Sequence, residues 1–103
     1  MKKKVAIVTG AAQGMGYGVA INFLKKGYKV VFTDINIDKL KKNKKKIFLN
    51  SKSSDFILID LDITNFKSCK NITSKIFKKW SKIDVLVNCA GIAGGNSSVE
   101  DMN

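Results

Sequence analysis

The chain has 103 residues, room for one small domain and a modest core. Its 45 % hydrophobic content excludes a disordered tail, and the absence of histidine excludes a histidine-based triad. Nineteen basic residues, all lysine, against eight acids give a net charge of +11, which raises the question of a nucleic-acid or other anionic partner.

Taken in chain order, the first element is the apolar run Val5-Ala6-Ile7-Val8, the pattern of a strand covered on both faces. Three lysines precede it, but the run is too short for a signal peptide and leads directly into glycines. With no stretch near the roughly 20 apolar residues of a membrane span, the expected compartment is the cytoplasm. A helix begins near Gly14, gathers Met15, Val19, Ala20, Phe23 and Leu24 on one face, and ends at Gly27. A second strand follows at Val30-Val31-Phe32.

The second helix is predicted from about Asp38 to Leu49, with Leu40, Ile47 and Phe48 facing inward. It carries the densest cationic cluster, Lys39 to Lys46, and a solvated helix face explains that cluster without a ligand. Arginine, the usual reader of phosphate and of guanine edges, is absent, which argues against a nucleic-acid interface. Phe56-Ile57-Leu58-Ile59 forms the third strand. Thr64 is positioned to cap a third helix, in which Phe66, Cys69, Thr73, Ile76, Phe77 and Trp80 recur at helical spacing; Phe77 and Trp80 are expected to pack on the sheet. Val85-Leu86-Val87 is the fourth strand, before a Gly/Ser/Asn-rich end. Cys69 and Cys89 form neither a disulfide framework nor a metal-spaced cluster, so no metal site is expected.

Alternating apolar strands and helices imply an α/β fold: a partial Rossmann fold with a parallel sheet of about four strands, order 3-2-1-4, and three helices. Its most specific segment is Thr9-Gly10-Ala11-Ala12-Gln13-Gly14-Met15-Gly16, between the first strand and the first helix. Gly10 serves a sharp turn, Gly14 a close approach to a pyrophosphate, and Gly16 close helix–strand packing, while the helix start favours an anion. Asp34 ends the next strand, at about the twenty-residue distance that this arrangement requires. Its carboxylate can accept from an adenine-ribose diol and would repel a 2′-phosphate. At about 4 Å and an effective dielectric of about 20, two unit charges interact by about 4 kcal/mol, so the expected cofactor is NAD. Gln13, Ile35 and Asn36 are uncharged, and Lys39 is the nearest cation beyond.

The glycine loop resembles that of the short-chain dehydrogenase/reductase family, and two further motifs agree. Asp60-Leu61-Asp62-Ile63-Thr64 resembles the family's Asp-Val-Thr segment, which implies that Asp62 holds the adenine amino group and Ile63 lines the adenine pocket. Asn88-Cys89-Ala90-Gly91 is similar to the family's Asn-Asn-Ala-Gly motif, which steadies the central sheet beside the cofactor ribose; Cys89 departs from it. The implied cofactor-binding residues are thus Gly10, Gln13, Gly14, Met15, Gly16, Asp34, Asp62, Ile63, Asn88, Ala90 and Gly91.

The resemblance also implies hydride transfer between a nicotinamide and a secondary alcohol or carbonyl, with polyols, sugars, small hydroxy-ketones and 3-oxoacyl thioesters as substrate classes. It further implies a tetrameric parent. The Tyr-xxx-Lys pair and the Ser that do the proton work in the family have no counterpart here: Ile21 follows Tyr17 at the fourth place, and Phe32 follows Tyr28. No catalytic residue is therefore assigned. The expectation is that residues 1–103 are an NAD-binding Rossmann domain, truncated after the Asn-Cys-Ala-Gly motif and lacking the catalytic half. A catalytically inactive nucleotide-binding or interaction module is the alternative, followed by a binder of anionic surfaces.

Overall fold

The computed structural model describes residues 3–49 and 52–89. Strand β1 (Val5–Thr9) leads into helix α1 (Gly14–Lys25), and β2 (Lys29–Asp34) into two short helices, α2 (Ile37–Lys42) and α3 (Lys44–Phe48). A single 3-10 turn (Ser53–Asp55) precedes β3 (Phe56–Asp60); α4 (Phe66–Trp80) and β4 (Val85–Asn88) follow. All strand pairs are parallel and the sheet order is β3-β2-β1-β4, as the alternating pattern predicts. Each crossover thus needs a helix, and the chain supplies one or more every time.

Alternation along the strands divides the core into two layers. Val8, Val30 and Phe32 face α1, α2 and α3, where they meet Ala20, Leu24, Leu40 and Ile47. Val5, Ile7 and Val31 face α4 and meet Ile76 and Trp80. Phe32 is fully buried, with the Phe56 ring 6.2 Å away edge-on, and a side chain of this kind contributes about 1.5–3 kcal/mol by leaving water. The Lys29 ammonium stands 5.3 Å from the Trp80 ring, so the exposed end of that indole layer is covered by a cation.

Several local expectations are corrected. The single helix expected from Asp38 to Leu49 is broken at Asn43, so the described residues contain four α-helices rather than three. Asn43 donates its backbone N–H to the Leu40 carbonyl and its side-chain amide to the Ala12 carbonyl, and both bonds draw it off the regular ladder. The cap of α4 is Asn65, whose side chain accepts from Ser68 N at 3.1 Å; Thr64 instead donates its N–H and hydroxyl to Asp62. Phe77 is 56 % exposed and outside the core. The stripe that reaches the sheet is Ile72, Ile76 and Trp80, one residue per turn, and Phe77 is rotated from it by about 100°. Phe48 and Met15 are likewise exposed, although Phe48 keeps an edge contact with Phe56. No helix among the described residues is long and apolar enough to cross a membrane.

Candidate functional site

The carboxyl ends of the four parallel strands converge on one rim, where the order reverses between β1 and its two neighbours. Open α/β sheets bind ligands there because helix starts and strand ends leave backbone groups without partners. Thr9, Asp34, Asp60 and Asn88 are the last residues of the four strands.

From Thr9 the chain turns through Gly10 and re-enters helix geometry through Gly14, both left-handed (φ +62° and +60°), a region that a side chain disfavours. Between them Ala11 and Ala12 are buried. Gln13 is the extended N-cap residue of α1, and its side chain makes no cap bond. The first intrahelical bond runs from Tyr17 N to the Gln13 carbonyl, at 3.4 Å. The N–H groups of Gly14, Met15 and Gly16 therefore have no intrahelical acceptor, and they present the positive end of the helix dipole. Gly16 is buried beneath them: a Cβ there would overlap the Gly10 carbonyl and lie 3.2 Å from the Cys89 Cβ. The helix start can sit this close to the strand end only with glycine.

Asp34 binds this loop to the second strand. Its Oδ2 accepts from Ala12 N and its Oδ1 from Asn36 N, both at 2.9 Å. A carboxylate has about four acceptor positions, so two are left for a ligand. Ala11 N also donates to the Thr33 carbonyl (2.9 Å), and the Lys39 ammonium donates to the side-chain oxygen of Gln13.

On the other side of β1, the Thr9 hydroxyl donates to Asn88 Oδ1 at 2.7 Å and accepts from Cys89 N at 3.1 Å, which ties the ends of β1 and β4 together. Cys89, where the family pattern has an amide, is a buried packing residue, and its thiol pKa is pushed up by burial. Past β3, Asp62 is exposed, and its Oδ1 receives both the hydroxyl (2.6 Å) and the N–H (2.9 Å) of Thr64. The Thr64 hydroxyl, followed by its backbone N–H, holds the Asp62 pKa below the ordinary carboxylate value. Ile63 lines an apolar cavity of about 230 Å³ together with Ile7, Leu61, Ile72, Leu86 and Asn88. The structure therefore brings Gly10, Gln13, Gly14, Met15, Gly16, Asp34, Asp62, Ile63 and Asn88 to the same rim; Ala90 and Gly91 lie outside the described residues.

Sequence reasoning did not single out Asn43, and it gave Thr9, at the head of the glycine segment, no role of its own. An asparagine within a lysine-rich run is a poor residue for a helix interior and was the available sign of the break.

The rim has the properties of a dinucleotide site: open amides at a helix start, a glycine cradle and an acid on the neighbouring strand. It thus defines a Rossmann-type nucleotide-binding fold. A profile of the short chain dehydrogenases matches residues 4–103, and the chain belongs to that family of oxidoreductases, which use NAD(P) cofactors. A dehydrogenase/reductase SDR family protein 7-like of Dictyostelium discoideum is 36 % identical over 102 residues, covering 96 % of this chain and 31 % of that protein. The NAD-dependent glycerol dehydrogenase of Listeria innocua is 38 % identical over 90 residues, 87 % of this chain and 34 % of its own length. A short chain dehydrogenase from Bacillus anthracis superposes with a TM-score of 0.78 at 33 % identity, over 86 % of this chain and 35 % of that one. The chain spans about a third of the length of the relatives it matches.

Proposed function

We propose that this chain forms the NAD-binding part of a short-chain dehydrogenase/reductase that interconverts a secondary alcohol and a carbonyl compound. The observation that carries the reading is the Asp34 carboxylate, fixed at the mouth of the glycine loop by Ala12 N and Asn36 N. In this role the N–H groups at the start of α1 take the pyrophosphate, and Asp34 accepts from the adenine-ribose hydroxyls. Asp62 accepts from the adenine amino group, Ile63 covers the adenine, and Asn88 stands beside the ribose nearer the nicotinamide. The cofactor, when bound, supplies or accepts a hydride at C4 of its nicotinamide.

NAD is preferred to NADP because a 2′-phosphate would sit against a carboxylate that is already anchored and cannot swing away. Lys39, the nearest cation beyond that acid, is held on Gln13. A small polyol or hydroxy-ketone is the substrate class that accords with an NAD-type acid and with the glycerol dehydrogenase relative. Substitution Asp34→Asn tests the reading. It removes the charge and replaces one of two acceptor oxygens by a donor, so NAD affinity should fall and the gap between NAD and NADP should narrow. An unchanged gap would show that Asp34 does not select the cofactor.

A further inference from the structure

The nucleotide loop is held from outside by one turn of helix. Lys39 and Asn43 lie four residues apart, hence on the same side of α2, and both reach the segment between β1 and α1. Lys39 takes the Gln13 side chain, and the Asn43 amide donates to the Ala12 carbonyl at 2.8 Å. Ala12 is 1 % exposed, so water cannot take over that bond. Its other face is already committed, since its N–H donates to Asp34. The carbonyl and N–H of a trans peptide point in opposite directions. Fixing the Ala12 carbonyl therefore also fixes the direction of the Gln13 N–H, one residue before the left-handed Gly14 through which α1 begins.

We propose that Asn43 is a positioning residue for cofactor binding: it sets the Ala12–Gln13 peptide and, through it, the orientation of the open amides at the start of α1. This explains why the helical segment breaks where it does. A residue kept in the regular helix would leave the buried Ala12 carbonyl without a donor, whereas Asn43, at φ −88° and ψ −1°, ends α2 and reaches it. The loop is thus ordered before the ligand arrives, and affinity rises because less ordering remains to be done on binding.

The inference rests on the nucleotide-binding reading, and the experiment separates the two. NAD is titrated calorimetrically into the full chain and into Asn43→Ala, Asn43→Asp and Asn43→Ser, and amide ¹H–¹⁵N shifts are recorded without nucleotide. Losing the donor in Ala or Asp should weaken NAD binding by about five- to tenfold, the effect of about one hydrogen bond. It should also move the Gln13 and Gly14 amide resonances in the nucleotide-free protein. Serine keeps a short donor and should recover part of both. Dissociation constants within twofold of the unsubstituted chain, with shift changes confined to residues 40–47, would reduce Asn43 to a helix boundary and overturn the proposal. Should the unsubstituted chain bind no NAD, the nucleotide reading fails, while the Gln13 and Gly14 shifts still decide whether Asn43 sets the loop.

Discussion

Gly16 shows how a single residue type carries the geometry of the site. Its missing Cβ is what permits α1 to meet the Gly10 carbonyl, so Gly16→Ala forces helix and strand apart. A loss of about 1–3 kcal/mol is expected from such overpacking, read as a lower urea midpoint, together with weaker NAD binding. Wild-type values for both would mean that the contact is not tight. At the other end of β1, Asp84 accepts from Val5 N at 2.8 Å and pairs with Lys82 at 3.3 Å. The bond from Val5 N, above all, holds its pKa below the ordinary carboxylate value. An acid depressed in the folded state contributes stability that is present above its unfolded pKa and is lost as pH falls through the lowered folded value. Urea midpoints measured at about pH 6 and at about pH 3 should therefore differ less for Asp84→Asn than for the unsubstituted chain.

The elements show what the sequence reveals and what it conceals. Uninterrupted apolar runs marked all four strands; in β1 and β2 the cause is burial on both faces, which leaves no polar positions to blur the pattern, whereas the edge strands β3 and β4 keep apolar runs although they are only partly covered. The glycine spacing was legible because few residue types satisfy a left-handed turn or a close backbone approach, and Asp34 because it ends the strand that follows. The break at Asn43 was not, since it depends on a bond to Ala12, 31 residues away. Helix spacing alone also failed on Phe77, which shares the periodicity of α4 but points off its buried stripe. The contrast within α4 is testable by urea denaturation. Trp80→Ala should cost about 3–5 kcal/mol, and Phe77→Ser within about 0.5 kcal/mol of nothing. Comparable losses would place Phe77 in the core after all.

For the whole molecule, sheet order and site location are one fact. Order β3-β2-β1-β4 puts β1 between strands whose crossovers leave on opposite faces, with α1, α2 and α3 on one side and α4 on the other. The carboxyl end of β1 is where those crossovers diverge and leave room for a ligand. Every described residue assigned to the cofactor stands on that rim, and the family membership adds the kind of ligand expected there. The lysine cluster from Lys39 to Lys46 runs along helices whose opposite face buries Leu40 and Ile47. In its proposed role the loop from Gly10 to Gly16, with Asp34 beside it, has a preference for NAD over NADP. The most direct test of that preference is an equilibrium titration of the full chain with each nucleotide under identical salt. Binding of NAD at least about tenfold tighter than NADP is predicted, a modest fraction of the repulsion that a fixed carboxylate exerts on a 2′-phosphate. Equal affinities, or tighter binding of NADP, would contradict it.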